Sequence, residues 1–473
     1  MPPTIAALLC AVGVLGLFFL NRDETSHTSK ALWIPLSWIL IVSSRPVSAW
    51  LHLGEPVSAV DVSMGEGSPL DRNVFTALLV AGICVLMARS HVLGSALRSN
   101  MPVVLFFSYC LVSVIWSDFP DVAAKRWMKG VGEMVMALVV LTEPDTVAAL
   151  KKLLSRAGLL LLPTSILFIR YFGELGRGYD PDGIPMNTGV TTNKNTLGVI
   201  TFILSLGALC QIVSLLRDPD QLHRARRLCA QCSLLVCGVT LLVQAQSATS
   251  QLCFILGAVV ILATNLPIMR RSLAALHTLI ASIVLGASTV MLSGNVAEVL
   301  HLIGRKSNLT GRTDIWAAVL RVASDPLLGA GYESFWLGPR VARVWSQLSQ
   351  YMHVNEAHNG YLEVYLNLGF VGVTFILVLL ITAYRRSTAT FQYDPGAGSL
   401  MLAYVVCAAT YSISEAGFRL LNPIWIVLLI VTTQIPERFA PEAPDFADDE
   451  PQQENSWTLD RESTIPSHSL LRT

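Results

Sequence analysis

The sequence predicts an all-α polytopic membrane protein with one large helical loop on the outer side. Hydrophobic residues make up 53% of the chain and charged residues only 14%, whereas soluble domains carry roughly 25% charged residues. The apolar residues fall into long runs, and roughly 17–25 such residues suffice for a membrane-spanning helix. The formal net charge is zero, so the composition does not indicate nucleic acid as a partner.

About twelve or thirteen runs are apolar enough to be predicted spans. They lie at 4–20, 31–50, 74–88, 101–116, 127–142, 157–172, 196–216, 228–244, 251–268, 276–293, 360–384, 400–415 and 419–435. The first run has no basic residues before it and no clear cleavage site. We therefore interpret it as a retained span rather than a signal peptide.

Basic residues predict the orientation, because they are concentrated in cytoplasmic loops. Clusters occur in every second loop, at Arg22 and Lys30, Arg89 and Arg98, Lys151, Lys152 and Arg156, Arg217, Arg224, Arg226 and Arg227, Arg270 and Arg271, and Arg385 and Arg386. The intervening loops are predicted to face outward. They include an acidic loop with Glu55, Asp61, Glu66 and Asp71, the loop 173–195, and a long hydrophilic loop.

Four regions follow from this pattern. An N-terminal transmembrane bundle covers 1–293, the long outer loop covers 294–359, and C-terminal transmembrane helices cover 360–435. The remainder, 436–473, is rich in Pro, Asp, Glu and Ser. Such a composition predicts a disordered cytoplasmic tail.

The long loop contains a predicted amphipathic helix. In the segment GRTDIWAAVLRVASD, Ile315, Trp316, Val319 and Leu320 lie on one helical face. The sequence Ser-Asp-Pro at 324–326 ends this helix by turn chemistry, and a second helix is predicted over 338–352. A tryptophan-bearing amphipathic helix outside a bilayer is suited to the headgroup surface.

His358 is the first candidate for catalysis, because histidine can take a proton from a hydroxyl near neutral pH. The alternative is a loop histidine that only caps the next helix. Asn359 is a good N-cap residue, and Glu363 lies one turn into the span. Glu363 either orients His358 or binds a sugar hydroxyl.

Basic residues on the outer side are candidates for phosphate binding, since they run against the positive-inside pattern. They are Arg312, Arg170 and Lys194, with Arg177 close by. Arginine donates hydrogen bonds to phosphate in pairs. The alternative is snorkelling to headgroups or ion pairing within the loop 173–195. Both interpretations stay open for Arg170, and the structural one is favoured for Arg177.

Two further acids lie within predicted spans, where a charge is costly and faces a partner or a polar cavity. Glu133 pairs with Lys129 at helical spacing or lines such a cavity. Glu415 forms a helix-end pair with Arg419 or belongs to the same cavity. The pattern does not decide between these alternatives.

Four segments resemble the O-antigen ligase and polymerase superfamily of bacterial membrane glycosyltransferases, and most of all its exopolysaccharide polymerase branch. They are WSDFPDVAAKRWMKG (116–130), GVTTNKNTLG (189–198), GRTDIW (311–316) with DPLLGAGYESFW (325–336), and HNGYLEVYLNLGFVG (358–372). Their order and the predicted topology fit that family. The resemblance covers roughly residues 100 to 430.

The resemblance implies a GT-C-like fold and an inverting, metal-independent glycosyl transfer without a cofactor. The donor would be a glycan on undecaprenyl pyrophosphate, and the acceptor a hydroxyl of another glycan. By position, His358 would be the catalytic base and Arg312 would hold the pyrophosphate. Arg170, Lys194, Asn195, Asn359 and Glu363 would contribute to substrate binding. Membrane lipids and export or chain-length machinery are the other expected partners, at the periplasmic face of the inner membrane.

One position departs from the ligase branch, which commonly carries a second arginine in a serine-rich segment. Here that segment is QSATSQL, with Ala248. Arg170, Lys194 or neighbouring hydroxyls would have to supply the missing contact. The departure favours a polymerase over a ligase that transfers glycan to lipid A core.

A transporter or flippase is the rival from another class, but transporters place charged groups near mid-membrane and often show inverted repeats.

Overall fold

The computed structural model describes residues 1–23, 28–51, 68–179, 183–292, 310–348 and 354–433. The chain divides into a unit of Met1–Pro436 and a second unit, Glu437–Thr473. The predicted disordered tail and the start of the long outer loop lie outside the described residues. Glu55, Asp61 and Glu66 of the acidic loop lie outside them as well.

The described part of the chain is almost entirely helical. Its helices are α1 (Pro3–Leu20), α2 (Trp33–Val42), α3 (Val47–Trp50), α4 (Pro69–Ala88), α5 (Ser90–Ser99), α6 (Met101–Val112), α7 (Pro120–Leu141), α8 (Thr146–Tyr171), α9 (Gly173–Gly176), α10 (Lys194–Arg217), α11 (Arg224–Ala245), α12 (Ala248–Ala263), α13 (Pro267–Arg271), α14 (Leu273–Leu292), α15 (Thr310–Val322), α16 (Gly338–Trp345), α17 (Gly360–Tyr393), α18 (Pro395–Ser414) and α19 (Pro423–Thr432). Short 3-10 turns at Lys30–Leu32 and Ser113–Trp116 adjoin α2 and α6. An antiparallel hairpin of β1 (Arg177–Tyr179) and β2 (Pro185–Asn187), with Gly178 opposite Met186, interrupts the loop 173–195.

The helices confirm an all-α, multi-pass membrane protein. Within the described residues, eight are long and apolar enough to cross a bilayer, namely α1, α4, α8, α10, α11, α14, α17 and α18. A ninth span results if α5 and α6, which are bent by 83° at a break, count as one. Three more predicted spans are short apolar helices: Lys30–Val42, α12 and α19. The predicted span at 127–142 belongs to α7, which also carries Lys129 and Glu133.

The most buried of the long helices are α10 and α18, and α12 packs against both of them. Tyr404 of α18 is fully buried and donates its hydroxyl to the carbonyl of Ile203 in α10, at 2.9 Å. Small residues let these helices approach closely: Gly257 of α12 lies against Leu206 and Cys407. By contrast only Ala6 of α1 is buried, and its other side chains are exposed or partly exposed, as expected for a helix that faces lipid.

Polar side chains gather at the two ends of the bundle. At the end predicted to be cytoplasmic, Arg89 forms an ion pair with the fully buried Glu143 at 2.6 Å, and Arg227 pairs with Asp23 at 3.1 Å. The opposite end combines α15, α16 and the loops that precede α10, α17 and α19. The helices α8, α10 and α18 connect the two ends.

The segment after α15 docks onto α17 through the backbone. The amide of Ala330 donates to the carbonyl of Leu366 at 3.0 Å, and the amide of Phe370 donates to Pro326 at 2.9 Å. Gly369 has φ +62° at this point and interrupts the regular helix. A side chain at Gly369 would collide with the backbone of Leu327. This close approach requires a glycine at position 369.

We expect Gly369→Ala to destabilise the protein, because the conformation at Gly369, with φ +62° and ψ −165°, is essentially confined to glycine and costs another residue roughly 1–3 kcal/mol, and because the docked segment must also move. The matched control is Gly286→Ala in α14, where a Cβ meets nothing within 4 Å. Thermal unfolding of the two purified variants in the same detergent measures the difference. An unfolding midpoint of Gly369→Ala equal to that of the control contradicts the docking described here.

Candidate functional site

A single carboxylate joins the two residues that the sequence predicts to be catalytic. Glu415 follows the last residue of α18, and its side chain is only 5% exposed. Its Oε1 accepts a hydrogen bond from Arg312 Nη2 at 2.7 Å, and its Oε2 lies 3.3 Å from His358 Nδ1. Asn195, in the first turn of α10, donates to the same Oε2 at 3.2 Å. We call Arg312, His358, Glu415 and Asn195 the Glu415 cluster.

The chain around His358 explains how the imidazole reaches Glu415. His358 has φ +48°, in the left-handed region, so the chain turns sharply just before α17. The side chain of Asn359 caps α17 by accepting from the amide of Leu362 at 3.0 Å. On the other side, Trp316 Nε1 donates to the carbonyl of Ala357 at 2.8 Å. Asn359 therefore acts here as the N-cap that the sequence predicts.

Glu363 also holds the turn that carries His358. Its side chain is buried and accepts from Trp336 Nε1 at 2.9 Å and from the amide of Ala357. Both oxygens are engaged within the protein. The geometry agrees with the orienting alternative, in which Glu363 acts on His358 through the backbone of Ala357.

A second carboxylate also touches the imidazole. Glu356 Oε1 lies 3.0 Å from His358 Nδ1, and Glu356 Oε2 lies 3.5 Å from Arg419 Nη1. Arg419 also lies 3.7 Å from Glu333 and donates to the carbonyl of Asn355 at 3.0 Å. Positive and negative groups thus alternate through the described part of the site.

These contacts determine the charge on His358. Burial alone would lower the pKa of His358, but the hydrogen bonds and negative charges of Glu356 and Glu415 raise it to about 10. Burial acts to raise the pKa of Glu356, and His358 and Arg419 lower it to about 2. At neutral pH the imidazole is therefore a cation held between two carboxylates, and it must lose a proton before it can act as a base.

The other predicted binding residues lie outside the Glu415 cluster. Arg170 is exposed in the last turn of α8, and Lys194 is half-buried beside Asn195. Neither takes part in an ion pair within the described ranges. Arg177 donates to the carbonyl of Ile169 at 3.0 Å, in agreement with a structural role. Pyrophosphate binding by Arg170 and Lys194 stays a prediction.

The serine-rich segment with Ala248 packs beside the Glu415 cluster. Thr249 and Ser414, the residue before Glu415, share a hydrogen bond at 2.9 Å, and Ser247 and Ser250 share one at 3.0 Å. The three hydroxyls of this segment are thus engaged within the protein. A substrate would have to displace these bonds to use them.

Two pairings considered from the sequence differ in the structure. Glu415 pairs with Arg312 and His358 instead of Arg419. Glu133 accepts from the amide of Leu421 at 2.9 Å. Glu356 was not singled out from the sequence at all. Its one signal is an acid two residues before a candidate histidine, a spacing that is common in loops.

Donor atoms of Glu356, His358 and Glu415 lie within 4.8 Å of one another. A divalent cation there would have to displace Arg312 and Arg419 from the two carboxylates. Metal-independent transfer stays a prediction.

Comparison with known proteins finds similarity to one family. Residues 233–377 match the O-antigen ligase family. Over 316 residues the chain is 26% identical to the exopolysaccharide production protein ExoQ of Rhizobium meliloti (strain 1021), covering 63% of this chain and 68% of that protein. Both similarities support the resemblance to the O-antigen ligase and polymerase superfamily, and with it a function of the O-antigen ligase or exopolysaccharide polymerase type. The matched domain contains Arg312 and His358 but ends before Glu415.

Proposed function

We propose that the protein polymerises lipid-linked oligosaccharide repeats into an exopolysaccharide at the periplasmic face of the bacterial inner membrane. The donor is a glycan on undecaprenyl pyrophosphate, and the acceptor is a hydroxyl of a second glycan. The observation that carries this proposal is the Glu415 cluster, in which one carboxylate holds a guanidinium and an imidazolium together. It lies at the end of the bundle opposite the predicted cytoplasmic clusters.

The cluster supplies positive charge where a pyrophosphate leaves. The acceptor oxygen attacks the anomeric carbon, and the bond from that carbon to the pyrophosphate oxygen breaks. The electron pair of that bond leaves with the lipid pyrophosphate, whose growing charge Arg312 and His358 stabilise. Attack from the side opposite the leaving group inverts the anomeric centre.

The protonation state of the cluster bears on which group is the base. The sequence predicts His358, but its pKa of about 10 leaves the imidazole protonated at neutral pH. The carboxylate of Glu415 can accept a proton once Arg312 and His358 turn to the donor phosphates. We therefore propose Glu415 as the acceptor of the hydroxyl proton, with His358 as a cation.

The runner-up is a ligase that transfers a finished glycan to lipid A core. The O-antigen ligase match over residues 233–377 favours it, while Ala248 and the similarity to an exopolysaccharide production protein favour the polymerase. The chemistry at the donor is the same in both. Only the acceptor differs.

We expect Arg312→Ala and His358→Ala to lower transfer by about 10²–10³-fold, the usual loss when a group that stabilises developing charge is removed. The matched controls are Arg321→Ala, an exposed arginine on the same helix, and His91→Ala, an exposed histidine elsewhere. The measurement is complementation of a deletion strain at equal membrane expression, with gels of secreted and lipid-linked glycans.

A polymerase defect leaves single lipid-linked repeats and no high polymer, whereas polymer that forms but stays unattached to lipid A identifies a ligase. If both variants produce as much polymer as the wild-type protein, the proposed site is wrong and a transporter becomes the favoured function.

We expect kcat/KM to be constant between about pH 6 and 9 and to fall above about pH 10. A raised pKa keeps His358 protonated until the pH passes that value, and kcat/KM reports groups of the free enzyme. The measurement uses the purified protein and lipid-linked glycans from the deletion strain. A tenfold rise per pH unit across this range contradicts the cationic role and restores His358 as the base.

A further inference from the structure

Glu133 is a buried acid that the proposed reaction does not use. It lies on α7 with no exposed surface, and its Oε1 accepts from the amide of Leu421 at 2.9 Å. Its Oε2 is buried and has no hydrogen-bond partner among the described residues. A buried, half-satisfied carboxyl group costs free energy, so its contact with Leu421 calls for a physical explanation.

Leu421 belongs to the loop 415–422, which links α18 to α19 and begins with Glu415. Two consecutive amides of this loop donate to carboxylates from elsewhere in the chain. Leu420 donates to Glu333 Oε1 at 3.1 Å, and Leu421 donates to Glu133 Oε1 at 2.9 Å. Leu421 has φ +61°, a conformation that a leucine adopts only when its surroundings impose it. The two carboxylates provide that restraint.

The rest of the loop is tied together, so a shift at Leu421 reaches Glu415. The amide of Gly417 donates to the carbonyl of Glu415 at 2.9 Å, and the side chain of Asn422 donates to the carbonyl of Ala416 at 3.1 Å. The amide of Asn422 donates to the carbonyl of Arg419 at 3.2 Å. These bonds make the loop one unit that carries both Glu415 and Arg419.

We propose that Glu133 is a positioning residue for glycosyl transfer: by holding the amide of Leu421 it fixes the loop 415–422 and sets the Glu415 carboxylate between Arg312 and His358. Glu133 touches neither reacting group and acts through the loop alone. The inference rests on the proposed function of the Glu415 cluster.

The test is a double-mutant cycle on single-turnover transfer in the full-length protein, with radiolabelled lipid-linked glycans from the deletion strain as the probe. Glu133→Met keeps the length of the side chain but removes the acceptor, and we expect the rate to fall about tenfold or more, since misplacing a catalytic group is costly. Glu133→Gln keeps a carbonyl acceptor for Leu421, and we expect a rate within about threefold of wild type, because a conserved hydrogen bond preserves the geometry.

The cycle separates positioning from general destabilisation. In a Glu415→Gln background, Glu133→Met should lower the residual rate by less than about twofold, because the loop then has no carboxylate to place. A general folding defect would instead lower the transfer rate by the same factor in the Glu415→Gln background as in the wild-type background. Glu143→Gln, at a buried acid that pairs with Arg89 at the opposite end of the bundle, is the control for the loss of a buried acid far from the site and should be fully additive with Glu415→Gln.

Two results overturn the inference while leaving the proposed function in place. One is a wild-type rate for Glu133→Met when Arg312→Ala is inactive, and the other is full additivity of Glu133→Met with Glu415→Gln. If Arg312→Ala itself retains the wild-type rate, the proposed function fails first.

Discussion

The ion pair between Arg312 and Glu415 is the interaction on which the candidate site depends. Glu415 lies at the end of one of the most buried long helices, where an unpaired carboxylate would be costly. Its 2.7 Å contact with Arg312 ties the loop-borne helix α15 to the transmembrane core. His358 and Asn195 then complete the coordination of the same carboxylate. A charge that has to be neutralised thereby brings three separate parts of the chain together.

Packing on the outer side keeps this arrangement in place. The backbone docking at Gly369 holds the segment after α15, and Glu363 links Trp336 to the turn that carries His358. On the far side, Glu133 and Glu333 hold the loop that carries Glu415. The cations are thus assembled in one place before any donor arrives, and they have only to exchange Glu415 for the donor phosphates.

Much of the fold could be predicted from the sequence, because hydrophobic runs and periodicity are local signals. The amphipathic helix predicted after residue 310 is α15, and it ends at Val322 just before Ser-Asp-Pro. The second helix was predicted over 338–352, but α16 ends at Trp345, and residues 349–353 lie outside the described ranges. The hairpin in the loop 173–195 was not predicted, since three-residue strands leave almost no periodicity.

The site was less predictable, because its contacts are distant in sequence. His358 and Arg312 stand out by chemistry, yet their common partner is 57 and 103 residues away, respectively. Glu415 and Arg419 fit a helix-end pair by spacing, and only the three-dimensional packing assigns each to a different partner. The spacing of Glu356 from His358 is too common in loops to identify Glu356 as part of the site.

The most direct test of this account is the binding of undecaprenyl pyrophosphate, without sugar, to the purified protein in lipid nanodiscs. If Glu415 holds Arg312 and His358 in place until a pyrophosphate displaces it, Glu415→Gln binds this lipid at least as tightly as wild type while transfer falls to a low residual rate. Arg312→Ala should bind about tenfold more weakly, since a charged hydrogen bond contributes roughly 1.5–3 kcal/mol. If Glu415→Gln instead weakens binding as much as Arg312→Ala does, the central role assigned to Glu415 is wrong.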